Sequence, residues 1–94
     1  MVRPDQWVWV VVQDPGKNER FLGQYDHEKH ESFIPAFLEK EIAQQGLKFL
    51  ASEKGHTYEV QAIQYDDLSG RAAENGFLVF ILNEAGEILE RSKP

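Results

Sequence analysis

The chain has 94 residues, of which 41% are hydrophobic, 12% aromatic and 28% charged, and this describes one folded domain spanning 1–94. Sixteen acids against ten bases give a charge of −6, and each half of the chain carries eight acids and five bases. No basic arm is available to neutralise phosphates or an anionic lipid surface, so no nucleic-acid or membrane partner is expected. The absence of cysteine removes disulfides, thiolate nucleophiles, CxxC redox pairs and thiolate zinc sites, and suits a reducing cytoplasm.

The run Trp7-Val8-Trp9-Val10-Val11-Val12 is too short to span a bilayer, which takes ~20 residues. Its aromatic and β-branched side chains predict a strand over Gln6–Gln13. Asp14-Pro15-Gly16-Lys17-Asn18 is a turn signal, and predicts a hairpin into a second strand over Arg20–Tyr25. Asp26-His27-Glu28-Lys29-His30-Glu31 is charged or titratable throughout and reads as a solvated connection. Pro35 pushes Ile34 out of the helical region, which favours a strand over Ser32–Phe37 lying at a sheet edge or a bulge.

Ile42, Ala43, Leu47, Phe49 and Leu50 recur at helical spacings and predict the main helix over Glu39–Glu53, with Gly46 marking close packing against the sheet. Tyr58–Tyr65 alternates and predicts a half-buried strand. Asp66 or Asp67 is placed as the cap of a short helix over Leu68–Glu74, ended by Asn75-Gly76. Phe77–Leu82 is a continuous apolar strand, followed by a turn at Asn83–Gly86 and a last strand over Glu87–Arg91. The order is β-β-β-α-β-α-β-β. The fold class is α+β, a single-layer mixed sheet with one main helix packed on one face and a short second helix.

The first and fifth strands are apolar at both parities, so both of their faces need cover, and they are placed side by side at the centre of the sheet. The second helix offers chiefly Leu68, Ala72 and Ala73. Cover for the second face comes from that helix with the loops, from a second copy or protein partner, or, less readily, from a small-molecule ligand. Trp7 and Trp9 share a face with Val11, and tryptophan is enriched at interface hot spots, so these three residues are the candidate partner-binding set. The competing account makes both tryptophans plain core.

Asp26, His27, His30 and Glu31 form a weak candidate metal site, since imidazoles and carboxylates suit divalent ions, while a solvated loop explains them as well. No phosphate cradle or nucleophile motif is present; Ser69-Gly70 lacks a GxSxG elbow. No cofactor is expected. The reading is a small cytoplasmic interaction or accessory module without catalysis, self-associating through a sheet face or edge. The alternative is a small metal-dependent enzyme or metal-binding protein using the 26–31 loop.

Overall fold

The computed structural model describes residues 2–92. Its strands are β1 (Trp7–Gln13), β2 (Arg20–Phe21), β3 (Gln24–Asp26), β4 (Glu31–Phe37), β5 (Tyr58–Gln64), β6 (Leu78–Leu82) and β7 (Ile88–Arg91). Helix α1 (Lys40–Gly46), continued by a 3₁₀ turn over Leu47–Phe49, lies between β4 and β5, and α2 (Tyr65–Glu74) lies between β5 and β6. The α+β class with a mixed sheet follows the sequence expectation.

The sheet runs β5-β1-β4-β6-β7 across its width, antiparallel except for the parallel pair β4–β6. β1 pairs with β5 along its whole length on one side, while its other side meets β4 at Trp9 and Val10 and β2 at Val12 and Gln13. β3 occupies the corresponding place beside the start of β4, opposite Glu31–Phe33. The second predicted strand is therefore two short strands, β2 and β3, which fill the splay between β1 and β4. The break falls at Leu22-Gly23, where a Cβ on Gly23 would sit 2.6 Å from the Phe77 ring.

The apolar strands β1 and β6 are both interior, but they are not neighbours. β4 lies between them, because its Phe33, Ile34, Ala36 and Phe37 are apolar at both parities as well. Pro35 is consequently buried in an interior strand rather than at an edge or bulge. Its missing donor is tolerated because Ile34 and Pro35 fall between the β3 pairing, which ends at Phe33, and the β1 pairing, which begins at Ala36. The ladder on that side is already interrupted there.

α1 is shorter than the predicted Glu39–Glu53 helix. At Gly46 the backbone presses on the Phe37 ring, and the chain then tightens into the 3₁₀ turn, leaving Phe49 63% exposed instead of on the buried stripe. α2 starts at Tyr65, so Asp66 and Asp67 lie inside it and neither is its cap. The first helical donors already have partners: Tyr65 N–H donates to Gln6 O at 2.8 Å and Asp66 N–H to Pro4 O at 2.9 Å. The N-terminal segment does the work that a side-chain cap would have done.

Side chains alternate across the sheet and divide the core in two. Val8, Val10, Val12, Ile34, Ala36, Val79 and Ile81 pack with Leu68 and Ala72 of α2. Phe37, Phe80 and Leu82 pack with Ala43 of α1, with Trp9, Phe33 and Val60 at the margin. The two helices therefore cover opposite faces. Of the covers open to the second face, the helix with its surroundings is the one realised: the ten residues of α2, with Val2, Phe21 and Phe77 packed beside them, leave Val8, Val10, Val79 and Ile81 dry.

Candidate interaction surfaces

Of the three residues singled out on the α1 face, Val11 is buried, Trp9 is half-buried with the Lys40 ammonium 5.8 Å from its ring centre, and Trp7 is 58% exposed. The covering of that face by α1 closes all but its Trp7 end. Elsewhere, exposed Phe49 stands over Gly86 in the β6–β7 turn, and exposed Ile88 and Leu89 lie on β7.

The 26–31 loop is a tight β3–β4 turn. Asp26 Oδ1 accepts from Glu28 N–H at 3.0 Å and from Lys29 N–H at 3.3 Å, which holds the turn closed. His27 meets Tyr25 edge-on with ring centres 4.8 Å apart, and His30 Nδ1 lies 3.3 Å from the Tyr25 hydroxyl. Glu31 is drawn instead to Arg91, 3.3 Å away. The candidate metal ligands thus have separate partners, and among the described residues no three His, Asp or Glu side chains converge.

A second titratable pair has members 42 positions apart, a separation that no local sequence pattern spans. His56 Nδ1 donates to Asp14 Oδ2 at 2.6 Å, and Thr57 N–H donates to Asp14 Oδ1 at 3.1 Å. The His56 hydrogen bond first, and the Thr57 amide second, hold the Asp14 carboxyl below its ordinary value of 3.8. Asp14 N–H also donates to Thr57 O at 2.8 Å, so one residue ties the end of β1 to the start of β5. Its positive φ of 53° is a conformation aspartate tolerates.

An open groove of about 750 Å³ runs beside α2, with Val10, Val12 and Ile34 at its base and Phe21, Ile63 and Phe77 along its sides. Arg71 at its rim is bound to Asp67 one turn earlier, 3.0 Å away, which leaves that guanidinium already neutralised. Ser69 Oγ is buried without a hydrogen-bond partner. It lies on α2 outside the groove lining, and no base is paired with it.

The edges of the sheet differ more than its faces. β7 has four residues, two of them charged, and a register shift opposite it at Ile81/Leu82. Its Glu90 carboxylate accepts from Val2 N–H at 3.2 Å and its Arg91 is paired with Glu31. Short length, charge and irregularity are the usual means by which an edge strand is kept from pairing. β5 has little of this protection. It is seven residues long, unbroken in register against β1, without proline or lysine, and Glu59 is its one charge.

The hydrogen bonds at its two ends fix which groups face outward. Tyr65 N–H donates to Gln6 O and Thr57 O accepts from Asp14 N–H, so residues of odd number turn their backbone groups toward β1. Val60 and Ala62, of even number, turn theirs to the open side, and Ala62 is exposed. The signal was present in the sequence as an alternating strand poor in charge, but which strand would end at the rim depends on topology. Against known proteins, the chain matches no family model, and no curated protein or solved structure is significantly similar to it.

Proposed function

We propose that this chain is a small interaction or accessory module that self-associates through the free edge of β5. The observation that carries the reading is a lightly protected seven-residue edge strand on a sheet whose two faces are occupied by the chain's own helices. Trp7, opposite Gln64 in the β1–β5 register and open to solvent, borders the same side of the molecule. A chain without cysteine is compatible with a reducing compartment, which supports a cytoplasmic setting for such a module.

Light scattering after size exclusion, across a wide concentration range, tests it with Ala62→Pro. Proline at that position removes an outward N–H that no strand of the chain uses, which an edge strand tolerates, but blocks pairing with a further strand. Ala62→Lys, the charge that natural edges use, is the second variant should the proline disturb the fold. A concentration-dependent dimer that both substitutions abolish, with the melting curve of the monomer retained, is the expected result. A dimer indifferent to both variants, or a chain monomeric throughout, sinks the proposal.

A further inference from the structure

Resting on that reading, we infer that the partner at the β5 edge is a second copy of this chain, joined antiparallel about a two-fold axis through Gln61. Opposed residues in a sheet share a face, so in a self-paired strand the axis must pass through a residue position rather than between two. Of the registers that satisfy this, one aligns all seven residues Tyr58–Gln64 with their counterparts, and it is centred on Gln61. It sets Val60 against Ala62, Glu59 against Ile63 and Tyr58 against Gln64 of the second copy.

The backbone permits this register, as it does any that keeps opposed residues on one face, and two side-chain features favour it. The outward backbone groups belong to Val60 and Ala62, and these fall opposite one another as pairs able to exchange both N–H···O bonds. Gln61 then stands at the axis as the closely spaced pair without such bonds. Its primary amide, which now donates to the Glu59 carboxylate at 3.3 Å, is donor and acceptor at once and so complements its own copy. Finally, the two Glu59 carboxylates lie four positions apart along the joined strands, roughly 13 Å at ~3.3 Å per residue, beyond a physiological Debye length of ~8 Å. A register centred on Glu59 would bring them face to face. The assembly is a continuous sheet ten strands across, with both copies of α1 on one side and both copies of α2 on the other.

The chain has no cysteine of its own, so single cysteines report the register without background. In the closely spaced pair at the axis the Cα atoms are ~4.5 Å apart, inside the range a disulfide bridges. Gln61→Cys, air-oxidised at a concentration where light scattering finds the dimer, should run largely as a reducible dimer on a denaturing gel. Ala62→Cys should stay monomeric there, although its side chain is the more exposed and chance collision would favour it. Cross-linking by Ala62→Cys or Val60→Cys in place of Gln61→Cys overturns the register while leaving self-association through β5 intact. A chain that is monomeric at every concentration, with none of the three cross-linking, overturns both.

Discussion

Alanine in place of Gly46 would set a methyl 2.4 Å from Phe37 Cε1, in a ring that is itself fully buried. In an open helix the same change would help by about 1 kcal/mol, since glycine is the poorer helix former. Here overpacking, which costs about 1–3 kcal/mol, opposes it. Gly46→Ala is expected to lower stability in urea denaturation, whereas Gly70→Ala on α2, with nothing within 4 Å of the added methyl, should raise it. Asp14 makes a second prediction at this scale. Its carboxyl is lowered below 3.8, so the unfolded chain takes up the proton first on acidification. The stabilisation is complete above that value and is lost as pH falls through the lower folded one. Asn keeps the positive φ without the charge. The stability gap between the natural chain and Asp14→Asn should therefore be present at pH 6 and close on titration toward pH 2.

Elements were legible in the sequence where one physical rule governed them. β1 was visible from β-branched and aromatic residues, β5 from alternation, β6 from a continuous apolar run, β4 from Pro35 disfavouring a helix, and the β1–β2 hairpin from Asp14-Pro15-Gly16, where Gly16 takes a φ of 77°. The misreadings arose where a distant partner overrode the local pattern. The periodicity of Leu47, Phe49 and Leu50 continues a helix, but the chain has already met Phe37 at Gly46 and turns away. Asp66 and Asp67 look like caps because aspartate caps so many helices; the carbonyls of Pro4 and Gln6, some sixty residues earlier, had taken the donors. Removing residues 1–4 is expected to destabilise the protein by about 1–2 kcal/mol, through the lost Pro4 acceptor and the Val2 packing. Hydrogen exchange at the Asp66 amide should accelerate beyond the change in overall stability; protection retained there would show that the segment is not the cap.

For the molecule as a whole, the two core clusters share one sheet, whose strands β1, β4, β5 and β6 send residues toward both α1 and α2. Neither helix has a core of its own, so loss of packing on one face should weaken the other. Leu68→Ala, which empties a fully buried site under α2, should cost about 2–5 kcal/mol. Tryptophan fluorescence, from Trp7 and Trp9 on the opposite face, should follow the same denaturation curve as the backbone signal. Separate midpoints for the two probes would contradict a single cooperative unit. The two-sided demand of β1 and β6 is legible in the sequence, but which cover meets it is not, because the reach of α2 depends on Val2, Phe21 and Phe77 arriving beside it. The candidate site was less legible still. That β5 ends the sheet follows from its pairing with β1 across the intervening β2, β3 and β4, a long-range choice that no local pattern records.

That choice also sets the order of events on the ribosome. β1 carries a six-residue apolar run and is made before the other strands, yet its full-length neighbour β5 is completed at Gln64, some fifty residues later. During synthesis the Trp-Val run must wait, half-zipped to β2 and β4, with one flank bare and prone to wrong pairing. Recovery of native protein after dilution from denaturant should accordingly fall as chain concentration rises. The nascent chain, more than the finished one, is where a holding chaperone would matter.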